Sequence, residues 1–104
     1  MPATLSVDMG PCDDDAHLFV NGRRIVSTRL GETRQFWRDL PDDAYNIRLQ
    51  VINSGGWAWR AKLRLLVNNT SLADVDQVGG TGAWNGTVYD KEWQFVIKDG
   101  QLIE

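Results

Sequence analysis

The sequence predicts an all-β chain, a single antiparallel β-sandwich of seven or eight strands, and three observations carry that prediction. Residues Trp57 to Val67 alternate without a break, with Trp57, Trp59, Ala61, Leu63, Leu65 and Val67 on one side and Ala58, Arg60, Lys62, Arg64 and Leu66 on the other. A period of two is the mark of a half-buried strand. Short runs of this kind recur about every 8 to 14 residues between glycine, asparagine and proline punctuation, the spacing of an all-β domain. No segment carries apolar residues at i, i+3, i+4 and i+7 over three turns, so no long helix is expected.

Taken in order, Thr4 to Met9 is a first strand, ended by Gly10-Pro11. An acidic segment from Cys12 to Asp15 leads into His17 to Val26, where Asn21-Gly22 supplies the two positive-φ residues of a type I′ hairpin turn. Gly31-Glu32-Thr33 breaks the chain before a strand over Arg34 to Leu40, and Pro41-Asp42-Asp43 is a turn. Tyr45, Ile47, Leu49 and Val51 then alternate with Asn46, Arg48 and Gln50, so two long strands flank Asn53-Ser54-Gly55-Gly56. The pattern collapses at Asn68-Asn69-Thr70. Ser71 to Gly86, rich in glycine and without a sustained period, is expected as a long connection, shortened if Leu72 to Val78 forms a strand. Tyr89, Trp93, Phe95 and Ile97 mark a final long strand over Thr87 to Lys98, and Asp99-Gly100 turns a short tail back. Strands of this number and spacing fit a jelly-roll or immunoglobulin-like sandwich, although the Cys, Trp, Cys pattern of a true immunoglobulin domain is absent.

The 104 residues form one expected domain, 1–104, of ordinary apolar (42%) and charged (24%) content. Five tryptophans in so short a chain are unusual, and each can bury roughly 150 to 250 Å². A net charge of -3 gives no positive field to hold a phosphate backbone, so nucleic acid is not an expected partner. The single Cys12 cannot form an internal disulfide, and the single His17 cannot form a histidine-rich metal site. No apolar stretch reaches about 18 residues, and Met1-Pro2-Ala3-Thr4 lacks a basic then hydrophobic pattern, so neither a membrane span nor a signal peptide is expected in the chain as given. Nothing in it names a compartment.

No catalytic signature stands out. His17 lies in an expected strand beside Asp14 and Asp15, but no serine or cysteine is placed by sequence to complete a triad, and the chain is not expected to be an enzyme. Carboxylates cluster at Asp13-Asp14-Asp15 and at Asp74 and Asp76, and oxygen ligands of this kind in irregular loops could hold Ca2+ if the two loops meet at one end. A third constellation is aromatic. Trp57 and Trp59 stand beside Gly55-Gly56 and Asn53, and Trp84 stands beside Gly82 and Asn85, so flat rings flanked by small and amide residues could form a platform for sugars. Trp59 shares its side with Leu63 and Leu65 and is expected inward, Trp37 and Trp93 belong to core or sheet face, and Trp84 is the first choice for an exposed contact.

The strings Asp13-Asp14-Asp15-Ala16-His17-Leu18-Phe19-Val20-Asn21-Gly22-Arg23-Arg24-Ile25 and Leu40-Pro41-Asp42-Asp43-Ala44-Tyr45-Asn46-Ile47-Arg48-Leu49 resemble a pattern of carbohydrate-binding modules of the jelly-roll type. The resemblance covers about a third of the chain and implies a non-catalytic, lectin-like sugar-binding role, often with calcium near the acidic loop. The expected function is therefore a carbohydrate-binding module whose loops at one end act through Trp84, Trp57, Asn53, Asn85 and Trp59. The alternative is a structural or protein-interaction domain that self-assembles into a homo-oligomer through the same aromatics. Attachment to a membrane surface through exposed indoles is opposed by the acidic charge.

Overall fold

The computed structural model describes residues 2–12, 15–29, 31–53, 59–79 and 86–103. These form strands β1 (Ala3–Met9), β2 (Asp15–Val20), β3 (Arg23–Thr28), β4 (Arg34–Leu40), β5 (Asp43–Asn53), β6 (Trp59–Val67), β7 (Thr70–Gly79), β8 (Gly86–Lys98) and β9 (Gln101–Ile103). All pairings are antiparallel, in a four-stranded sheet of order β4-β1-β6-β7 and a five-stranded sheet of order β3-β2-β5-β8-β9. No helix occurs among the described residues.

Alternation decides which face is buried. On β1, Ala3, Leu5, Val7 and Met9 point inward while Thr4 and Asp8 face solvent, and on β6 Ala61, Leu63, Leu65 and Val67 do the same against Lys62 and Arg64. Leu18, Ile47, Leu49, Val51, Phe95 and Ile97 answer from the other sheet in one apolar cluster. Cys12 closes this core and holds both backbone groups of Lys62, its thiol 3.5 Å from the carbonyl oxygen and 3.4 Å from the amide nitrogen. Burial is the main reason its thiol is pushed up from the ordinary pKa.

The alternative of a strand near Leu72 to Val78 holds, over a longer range. β7 is a strand through most of the segment expected as a connection, because Ala73 and Val75 turn inward while Asp74 and Asp76 face out, and toward its end Gln77 and the apolar Val78 are both exposed. A bulge opposite Leu65/Leu66 further scrambles the alternation at Leu72. The two long strands flanking 54–58 belong to different sheets, β5 pairing with β2 and β8 in one and β6 with β1 and β7 in the other.

The two ends of the sandwich differ. One is closed by tight turns in which Asn21 and Gly22, Asn68 and Asn69, and Asp99 and Gly100 all take positive φ. Asp42 clamps this end: its carboxylate accepts from the backbone N–H of Asp99 at 2.7 Å and of Gly100 at 3.0 Å. Asn68 adds a second tie, accepting from the Thr4 N–H at 3.0 Å and donating to the Gly100 carbonyl at 2.8 Å. The opposite end carries the longer connections, 10–14, 29–33, 54–58 and 80–85.

Candidate functional site

The register places the ends of the strands that carry the expected loops together. Trp59 pairs with Gly79, and Asn53 with Gly86, so 54–58 and 80–85 are anchored at the same end of the molecule. Trp57, Trp84 and Asn85 themselves lie outside the described residues, as does the side chain of Asn53. Trp59 is half-buried against the core and bridges the two sheets, its ring 6.3 Å from that of Tyr89 on β8. It lies so close over Gly79 that a Cβ there would collide with the indole. Trp59 is thus a packed residue at the base of this end.

Of the expected carboxylates, the described Asp15, Asp74 and Asp76 lie apart. Asp13 and Asp14 lie outside the described residues. Asp15 opens β2 on the outer side of the five-stranded sheet, whereas Asp74 and Asp76 lie mid-strand on the outer side of the four-stranded sheet, not in a loop. Asp76 is engaged by Arg60 in a two-pronged pair at 3.0 and 3.1 Å, whose hydrogen bonding holds its carboxyl below the usual range. Among the described residues, no group of three or more His, Cys, Asp or Glu is arranged to hold a metal ion.

His17 has a neighbour that linear spacing hides. The β2–β3 pairing sets it opposite Ser27, with Nδ1 and Oγ hydrogen-bonded at 2.7 Å, and its ring meets Phe19 edge-on at 6.5 Å. With Nδ1 facing the hydroxyl, the pair rests on the sheet surface as a cross-strand contact.

A concave surface lies elsewhere, on the outer face of the four-stranded sheet. Trp37, on edge strand β4, is 80% exposed. It stands opposite Ser6 on β1, with Leu66 on the far side of Ser6. One step along, Gln35, Asp8, Arg64 and Asp74 form a continuous polar row across all four strands. A depression of about 520 Å³ sits among Ser6, Asp8, Gln35, Trp37, Arg64 and Leu66. Arg64 makes no ion pair with either flanking aspartate, unlike Arg34 with Glu32, Arg48 with Asp90 and Arg60 with Asp76. Its guanidinium and both carboxylates are therefore open to a ligand.

No known family model, curated relative or solved structure matches the chain. What the site can do must be read from its chemistry. An accessible indole beside an amide, a guanidinium and carboxylates offers a ring face for stacking and directional donors and acceptors alongside it, and nothing in this set is arranged as nucleophile and base. The sequence pointed away from Trp37 because an aromatic in a strand is most often half-buried, and only the pairing with β1 shows that Phe36 turns inward and Trp37 outward. The observable signal was the pair of charged residues, Arg38 and Asp39, following it.

Proposed function

We propose that this protein is a non-catalytic binding module for carbohydrate, with the outer face of the four-stranded sheet as its binding surface. The observation that carries the reading is the 80% exposure of Trp37 beside a depression that Gln35, Asp8 and Arg64 also line. Sugars present an apolar C–H face and a rim of hydroxyls, and such a site meets both, the indole with its face and the polar row with its hydrogen bonds. Trp57, Trp84, Asn53 and Asn85 remain a second candidate surface at the loop end. Titration of a panel of neutral glycans against tryptophan fluorescence tests the reading. Wild type should respond and Trp37→Ala should not; silence of the wild type at millimolar sugar would overturn it, and a response lost only in Trp84→Ala or Trp57→Ala would move the site to the loop end. Because Asp76 is occupied by Arg60, binding on the sheet face should survive chelation of calcium by EDTA. Binding lost on chelation would instead favour the expected calcium near residues 13–15 and a loop-end site.

A second reading is favoured by one feature. Among the described residues, the large exposed apolar side chains, Trp37, Val78 (66%) and Ile103 (43%), all lie on edge strands, β4, β7 and β9. Edge strands with exposed apolar side chains are sites of chain-to-chain pairing. Sedimentation velocity decides it: a stable oligomer that dissociates in Trp37→Ala would favour assembly over sugar binding.

The topology we infer is immunoglobulin-like rather than jelly-roll. Support comes from the crossing between the sheets at β4–β5, where the Tyr45 hydroxyl donates to the Pro41 carbonyl a few residues upstream, the corner such sandwiches use.

A further inference from the structure

The depression beside Trp37 is part of a longer feature. Outward side chains on β1 are short: Thr4, Ser6 and Asp8, followed by Gly10 just past the strand. The partners of Ser6 and Asp8 on either side are long, Trp37 and Gln35 on β4, Leu66 and Arg64 on β6, while Thr4 faces the shorter Asp39 on β4. Short residues between two rows of long ones form a trough. Three depressions succeed one another along it: about 420 Å³ around Thr4, Ser6 and Asn69, about 520 Å³ at the centre, and about 260 Å³ around Asp8, Gly10 and Lys62. The first and second share Ser6 and Trp37, the second and third Asp8 and Arg64, so they adjoin in sequence along β1. From Thr4 to Gly10 the floor runs about 20 Å at the usual rise of a strand.

The chemistry changes along this length. The middle is aromatic and aliphatic, through Trp37 and Leu66. Toward the loop end, Asp8 and Asp74 face Lys62 and Arg64, equal numbers of each sign. Resting on the carbohydrate reading above, we propose that the trough binds an unbranched, uncharged oligosaccharide lengthwise along β1, Trp37 stacking on one ring and Asp8, Arg64 and Asp74 hydrogen-bonding the hydroxyls of the rings that follow. Walls on both sides exclude branched chains, balanced charge disfavours anionic ones, and adjoining depressions make an oligomer, not a single sugar, the fitting ligand. Each added ring that finds its own contacts adds affinity without a new association cost.

Calorimetric titration with linear neutral oligosaccharides of one to six sugars, and with a sulfated polysaccharide, tests this. Affinity should rise by about tenfold or more from the monosaccharide to the longer chains and then level off. Arg64→Ala should remove that gain, and Trp37→Ala should abolish binding at every length. Ser6→Phe, and independently Thr4→Tyr at an exposed floor position, should block the long chains while far-UV circular dichroism and melting stay as in wild type. Binding that ignores chain length, or that persists in both floor variants, would overturn the trough while leaving sugar binding intact. Preference for the sulfated polymer, weakening with salt, would overturn the uncharged ligand. Failure of every neutral sugar to bind would overturn the carbohydrate reading itself.

Discussion

At the scale of single residues, a few polar side chains do work that no apolar contact replaces. Asn21 takes φ of 50°, accepts from the Asn46 N–H at 2.8 Å through Oδ1, and receives Gly22 at φ of 79°. Asn21→Ala should cost about 1–3 kcal/mol from the left-handed backbone and the lost bond together, measured by urea unfolding. Asp42 is held below the ordinary carboxyl range first by the Gly100 N–H and then by the Asp99 N–H. A carboxyl depressed in the folded state contributes fully at neutral pH, and the contribution is lost as pH falls through its folded value. Wild type should therefore lose more stability than Asp42→Asn on acidification from neutral pH to below about 4, in melts followed by circular dichroism. Cys12 is 1% exposed with its pKa raised chiefly by burial. Its labelling by a thiol reagent should be slow in native buffer and should follow the rate of global unfolding as urea is added.

Among the strands, the clearest lesson lies in what alternation reports and what it misses. β1, β5, β6 and β8 were legible because Leu5, Val7 and Met9, or Leu63, Leu65 and Val67, repeat every second residue against polar neighbours. The Asn21-Gly22 hairpin was equally plain, since few other dipeptides tolerate two positive φ values. β7 was hard to read because an edge strand buries only part of one face, leaving both Gln77 and Val78 exposed. Sheet membership of β5 and β6 was invisible, because a glycine-rich segment between two strands suits a hairpin or a crossover alike. The same limit hid the candidate site: Gln35, Asp8, Arg64 and Asp74 are far apart in sequence and meet only through register. At the other end of β7, Gly79 tests the packing between elements. Gly79→Val should displace the Trp59 indole and reduce its contact with Tyr89, read as a changed near-ultraviolet dichroism of the aromatic residues with lowered stability.

For the molecule as a whole, the core of Leu5, Leu18, Ile47, Leu49, Leu63 and Leu65 holds the two sheets together without a covalent cross-link. Leu63→Ala should cost about 2–5 kcal/mol in reversible unfolding, more than any surface change described above. Acid should weaken the fold through several carboxylates at once. Asp76, paired with Arg60, and Asp90, paired with Arg48, are both held low by those hydrogen bonds, so their contributions vanish together as they protonate. The unequal ends of the sandwich have a further meaning. Because register, corner and clamp are set at the extremity bearing Asn21, Asp42, Asn68 and Asp99, replacement of the segments 54–58 and 80–85 at the opposite extremity, with Cys12, Trp59 and Gly79 retained, should leave the strand pairing intact. Randomised peptides spliced into 54–58 and 80–85 would then be displayed on a frame that already folds, making this chain a candidate scaffold for selecting new recognition surfaces.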